Sequence, residues 1–262
     1  MLVIPLVACL VATDARSQLI VGTDDTAAPA IYYIDLNTNT ASIILAGSSA
    51  ICWGMAYDHH TNTLYWNNGS TLWSAPFSLG GLIPTNLGGM TYNSATVNFV
   101  GLGYRAGKLL GARNISTEAV YEIDPVTRVA TLLYQYASAY DFGGIDVDMT
   151  NNVLYGLSDT APTGSVRGLY EIDTGAMTTT FRAPYPAGET DIDGLAVFNG
   201  LAYYVTDQPG NFYVYNIATG IQVGTIPSPF GGSEIFSAAA YVPTGPVSIE
   251  ETSWGHIKGL YR

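Results

Sequence analysis

Residues 144–159 read GIDVDMTNNVLYGLSD. A small residue opens a short apolar run, Gly144-Ile145-Asp146-Val147, and a polar turn separates it from a second run, Val153-Leu154-Tyr155. Downstream, Leu169-Tyr170-Glu171-Ile172-Asp173 alternates apolar and polar side chains, the period of a strand with one buried face. Thr174-Gly175 supplies turn chemistry, and a weaker strand, Met177 to Phe181, closes the unit. Four short strands joined by turns make one antiparallel sheet.

The unit recurs. Small-residue starts appear at Gly54-Met55-Ala56-Tyr57, Gly101-Leu102-Gly103-Tyr104, Gly194-Leu195-Ala196-Val197 and Ser237-Ala238-Ala239-Ala240. They lie about 45 residues apart, the length of a four-stranded propeller blade. Second strands follow at Leu64-Tyr65-Trp66, Leu109-Leu110-Gly111 and Ala202-Tyr203-Tyr204, and third strands at Leu72-Trp73-Ser74, Val120 to Asp124 and Phe212 to Tyr215. Fourth strands are weaker, as at Val129 to Leu133. The spacing predicts blades over 51–88, 98–136, 142–185 and 191–229.

The start of the repeat array lacks a first strand. Leu19 to Asp24 matches the second strands, Ile31 to Asp35 the third and Ala41 to Ala46 the fourth. The missing strand is supplied by Phe236 to Val242, so a fifth, composite blade forms from 19–47 and 234–243. The expected fold is all-β, a five-bladed β-propeller whose last blade is closed by strands from both ends of the array, which protects strand edges. A sixth blade would have to fit into 78–97, which is too short and too rich in Gly and Asn. Gly and Ala in the first strands let backbones crowd around the axis, while the aromatic second and third strands fill the widening space between blades.

Gly144 to Asp148 followed by Asn152-Val153-Leu154-Tyr155, together with Tyr121-Glu122-Ile123-Asp124-Pro125, resembles the NHL and YWTD types of secreted bacterial propeller proteins. The resemblance spans 19–243 at the level of the repeat. It implies a fold and selects no activity. The unit 98–136 departs from it, with Arg105 in place of the aspartate that follows the first strand in 51–88 and 142–185.

Composition narrows the function classes. With 48% hydrophobic and only 11% charged residues, the chain is not of a disordered type. A net charge of −12 repels phosphate backbones and anionic lipid, which argues against nucleic acid and membrane surfaces as partners. Residues 1–17 read as a signal-like leader. The apolar run Leu2 to Ala12 is too short to span a bilayer, and Ala15 and Ser17 offer a cleavage site before Gln18. Leu6-Val7-Ala8-Cys9 offers the alternative of a lipid on Cys9. Either way the expected location is secreted, extracellular and bacterial. Cys9 and Cys52 are the two cysteines, too few for a disulfide framework, and Cys52 reads as a small buried hydrophobe.

Candidate chemistry is sparse. His59 and His60 are adjacent, and neighbours on a strand point to opposite faces, so they read as turn residues and not as metal ligands. His256 is far away in sequence, and no Ser-His-Asp arrangement has spacing support. Asp58, Asp146, Asp148, Asp191 and Asp193 offer carboxylates to a Ca²⁺ at a central channel. Their plainer role is to cap turns and bond backbone amides. Asp24, Asp159 and Asp207 recur at equivalent places in three blades, which points to structure. Trp66 beside Asn67-Asn68-Gly69 offers a sugar platform, against a packing role. No catalytic residue and no metal ligand is assigned.

Residues 244–262 read TGPVSIEETSWGHIKGLYR and are expected to be a docking tail beyond the propeller of 18–243. Trp254, Ile257, Leu260 and Tyr261 fall close to one helical stripe, with Lys258 and Arg262 among them, and these six residues are the expected partner-binding set. The segment is similar to the last residues of other secreted bacterial proteins, which implies a sorting or assembly signal. The expected function is a non-enzymatic extracellular structural protein, a propeller bead that joins other copies of itself through this segment, into a filament where the contact does not close. The alternatives are a carbohydrate-binding propeller facing cell-surface or extracellular polysaccharide, and a Ca²⁺-dependent hydrolase or lactonase.

Overall fold

The computed structural model describes residues 18–24, 28–113, 118–206, 210–230 and 234–243. It is a five-bladed β-propeller, five four-stranded antiparallel sheets arranged around an axis. From inner to outer strand, the first blade runs Phe236–Val242, Gln18–Thr23, Ala30–Asp35, Thr40–Ala46. The second runs Gly54–Asp58, Thr63–Asn68, Thr71–Pro76, Thr85–Gly89, and the third Gly101–Arg105, Lys108–Arg113, Ala119–Ile123, Ala130–Gln135. The fourth runs Phe142–Asp148, Val153–Ser158, Gly168–Asp173, Thr178–Pro184, and the fifth Gly194–Phe198, Leu201–Val205, Asn211–Asn216, Ile221–Pro227.

The composite blade forms as the repeat predicts. Gln18 pairs with Val242, Ile20 with Ala240 and Gly22 with Ala238, and the register shifts at Gly22/Thr23. The inner strands touch in a closed circle, and Phe142–Asp148 also reaches Phe236–Val242 and Gly54–Asp58 across the axis. Glycine permits that crowding. A Cβ on Gly54 would lie 2.6 Å from the Leu102 backbone nitrogen, and one on Gly101 would lie 2.6 Å from the Gly143 carbonyl oxygen. Either is nearer than packed atoms come, so a side chain there would push neighbouring blades apart.

The core is divided into wedges, one between each pair of adjacent blades. Ile20, Met55 and Trp66 lie in the wedge between the first and second blades. Leu72, Phe99 and Tyr121 fill the next, and Leu110, Phe142 and Tyr170 the one after. Leu157, Leu195 and Tyr204 join the fourth blade to the fifth, and Val205, Phe212 and Phe236 join the fifth to the first. Each fully buried large side chain contributes about 1.5–3 kcal/mol, so the ring is held by its joints as much as by its sheets.

Every outer strand meets its neighbour with a register shift, after the second residue of the third strand in four blades, at Ile31/Tyr32, Leu72/Trp73, Val120/Tyr121 and Leu169/Tyr170, and two residues later in the fifth, at Val214/Tyr215. Such bulges twist the outermost edge and make it a poor template for another strand. The outer strands Ala130–Gln135 and Thr178–Pro184 begin one residue later than the sequence suggests and run further. Arg128 and Met177 take positive φ, 61° and 56°, as turn residues. The stretch 78–97 forms no blade. It laps over its neighbours, with Leu82 N donating to Ile44 O at 2.7 Å and Thr91 N to Arg128 O at 3.0 Å, and it ends in a small hairpin of Thr91–Tyr92 with Ala95–Thr96. Among the described residues no helix is long and apolar enough to cross a membrane.

Candidate functional site

The strand order gives the ring two different ends. Turns from first to second strand and from third to outer strand lie at one end, called the turn end. Connections from second to third strand and from outer strand to the next blade lie at the other.

At the turn end aspartates hold their own loops. Asp35 Oδ1 accepts from Asn37 N (2.8 Å) and Thr38 N (3.3 Å), and Asp58 Oδ1 from His60 N (2.8 Å) and Thr61 N (3.3 Å). Asp124 Oδ1 accepts from Val126 N and Thr127 N, both at 2.9 Å, and Asp173 Oδ1 from Gly175 N and Ala176 N, both at 2.8 Å. Lys108, paired with Asp124, and then the loop amides hold that carboxyl well below its ordinary range. Amides of Ala176 and Gly175 lower Asp173.

Two aspartates of the fourth blade also fasten the next one. Asp146 is buried and accepts from Val147 N (2.8 Å) and Val197 N (2.7 Å). Asp148, fully buried, accepts from Thr150 N (3.0 Å), Thr150 Oγ1 (2.7 Å), Asn199 N (3.1 Å) and Gly200 N (2.8 Å). Asp58, Asp146 and Asp148 therefore serve backbone and turn, and they do not share one channel mouth with Asp191 and Asp193. The histidines sit in the turn after Asp58, but their rings do not point apart. Their centroids are 3.9 Å apart, because a turn lacks the alternation of a strand. Burial, and then the neighbouring ring, lowers the His59 pKa.

The opposite end is acid-rich. Among the described residues its connections carry Asp24, Glu118, Asp141, Asp159, Glu189, Asp191, Asp193 and Glu234, against Arg113 and Arg167. Carboxylate oxygens of Asp159, Asp191 and Asp193 lie within 4.8 Å of one another. Asp159 follows the second strand of the fourth blade, while Asp191 and Asp193 precede the inner strand of the fifth. The Tyr185 hydroxyl donates to Asp159 Oδ1. Burial pushes the Asp159 carboxyl up to about 7, with the Asp191 charge adding to the effect and Tyr185 opposing it. Glu118 is raised by burial and by Asp141.

The sequence separates these three acids, placing Asp159 with Asp24 and Asp207 as a structural repeat. Asp24 N and Asp159 N do make equivalent bonds, to Ile235 O and Asp141 O at 3.1 Å each. Asp207 lies outside the described residues. What brings Asp159 to its neighbours is that two unlike connections of consecutive blades end on the same side of the ring. As a donor set the trio is hard oxygen, suited to Ca²⁺ or Mg²⁺ and not to soft metals. Three side chains leave most of a Ca²⁺ shell to carbonyls and water.

Trp66 is fully buried, with Nε1 donating to Ser49 O at 2.8 Å, so it is a packing residue and no sugar platform. Cys52 is a free thiol, buried as expected, and burial pushes its pKa well up. Cys9 and the expected partner-binding set of Trp254, Ile257, Lys258, Leu260, Tyr261 and Arg262 lie outside the described residues.

No protein-family model and no curated protein matches the sequence. Solved structures match the fold. The chain is similar to a nidogen/laminin complex structure with a TM-score of 0.57 at 12% identity, over 86% of this chain and 98% of that one. A protein of unknown function from Bacteroides caccae gives a TM-score of 0.52 at 12% identity, over 87% and 99%. TolB from Acinetobacter baumannii gives 0.51 at 13% identity, over 86% of this chain and 54% of TolB. These are propellers of varied roles, and at such identities the likeness is one of fold.

Proposed function

We propose that this protein is a non-enzymatic extracellular interaction protein, a rigid propeller bead that joins other copies of itself through residues 244–262. One observation carries the reading. The ring is complete at Val242, with four strands in each of five sheets, so no strand position is left for the residues that follow. That segment holds Trp254, Ile257, Leu260 and Tyr261, apolar surface that needs a place to bury, and Lys258 and Arg262 in an otherwise acidic chain. The nidogen/laminin structure holds a propeller of this shape within a complex between proteins, which agrees with a binding role without choosing the partner. The test is removal of 247–262 followed by light scattering and electron microscopy of the purified protein. Assemblies should fall to single beads, and an unchanged size rejects the reading.

A cation-binding propeller is the second reading, favoured by the approach of Asp159, Asp191 and Asp193 within 4.8 Å. Ca²⁺ at 1 mM should then raise the melting midpoint, and the Asp191→Asn variant should lose that response. A midpoint indifferent to Ca²⁺ removes this reading. The carbohydrate alternative keeps no support from Trp66.

A further inference from the structure

Resting on the reading that 244–262 is the joining element, we infer that this segment docks in trans on the acid-rich end of a second copy, so that rings stack head to tail along a common axis.

The exit point comes first. Gln18 pairs with Val242, and Val242 lies at the turn end of the innermost strand, so the chain leaves the ring beside the axis at Pro243. The acid-rich end is on the opposite side. Residues 244–253 separate Pro243 from Trp254 and reach at most about 40 Å fully extended. The axis offers no passage, because inner strands meet across it. Over the rim, the path must run outward across four strands, down the length of a strand and back inward, about 50 Å in all. Trp254 therefore falls short of its own acid-rich mouth, which only the last few residues reach on the same copy, and then drawn out almost straight, while the same end of a ring stacked below lies directly ahead of the whole segment.

The chemistry of the two surfaces also matches. Turn-end aspartates stay charged but are engaged with their own amides or with Lys108, and Arg105, Lys108 and Arg128 stand among them, so that end is the less acidic of the two. At the other end the connections that carry the acids also carry exposed apolar side chains, Val166 (53% exposed) after Asp159 and Ile235 (47% exposed) next to Glu234. The segment combines Lys258 and Arg262 with Trp254, Ile257 and Leu260, the complementary mixture. A contact between two different surfaces of one chain repeats without closing, which makes an open stack and not a dimer.

Two full-length variants test this. One carries Asp191→Lys and Glu234→Lys at the acid-rich end. The other carries Trp254→Ala, Lys258→Glu and Arg262→Glu in the segment. Sedimentation velocity should find each alone to be a single bead, and their equimolar mixture should give a two-bead species and nothing longer. Each variant supplies the half that the other lacks, so the mixed species also reports that both are folded. Wild-type stacks should shorten at least tenfold between 50 and 500 mM NaCl, as expected for screened charge. If the segment variant assembles like wild type, the reading beneath fails. If the segment variant falls apart but the Asp191→Lys/Glu234→Lys variant still forms long stacks, or the mixture stays as single beads, the acid-rich end is not the docking surface.

Discussion

The two ends of the ring are built from the same residue type and use it in opposite ways. At the turn end an aspartate sits at the start of a tight loop and is surrounded by amides that want it charged. At the acid-rich end Asp159, Asp191 and Asp193 are pressed together by two connections that share no loop, and Asp159 accepts from the Tyr185 hydroxyl and, at 3.4 Å, from Ile192 N. The difference lies in the surroundings and not in the side chain. Backbone amides lower a carboxyl, whereas burial beside other carboxyls raises it.

The strongest way to break this contrast is to remove a carboxylate from each end. Asp148→Ala leaves one amide of its own loop, a hydroxyl and two amides of the next blade without their acceptor. Urea unfolding should show a loss of about 3 kcal/mol or more. Asp191→Ala at the other end should change stability by less than about 0.5 kcal/mol. Equal losses would show that the two ends do not differ.

Next in size is pH. Free aspartate titrates near about 3.9. Because Asp159 is raised to about 7, the folded state favours its protonated form. That contribution is complete below pH 4 and is lost as pH climbs toward 7. The melting midpoint should therefore drop between pH 5 and 8, and Asp159→Asn should reduce that drop while matching wild type near pH 4. Buried Asp146 and Glu118 shift in the same direction and should account for the remainder. A variant that keeps the full decline would assign the effect elsewhere.

The smallest effect is expected at Asp173, whose lowered pKa means that its stabilisation is present above pH 4 and lost as pH falls below it. Asp173→Ala should melt slightly below wild type at pH 6 and together with it at pH 2.5. A difference that persists in acid would count against amide capping as the cause.

Much of the ring was legible because a blade repeats its own physics. Small first strands, alternating third strands and turn residues recur from unit to unit, and so Leu19 to Asp24 could be matched to a second strand whose missing partner had to be Phe236 to Val242. What could not be read was anything made between units. The Asp159 cluster joins a second-to-third connection of one blade to the entry of the next. The bonds of Asp146 and Asp148 to Val197, Asn199 and Gly200 cross about 50 residues, and no local pattern marks them. Trp66 beside its Asn-Asn-Gly turn left packing and a sugar platform both open, and burial in the wedge between blades selects packing. His59 and His60 sit in a turn, as their sequence suggests, but the approach of their rings to 3.9 Å had no local mark.

The composite blade has a consequence for synthesis. Residues 18–23 leave the ribosome before any other part of the ring, and the strand that completes their sheet, 236–242, is made last. Four blades can pair as they emerge, but Leu19, Ile20 and Val21, all fully buried in the finished ring, must wait for every other blade to be translated. Until then one sheet stands with a raw apolar border, and a nascent chain that stalls before its final strand is left sticky at its oldest residues.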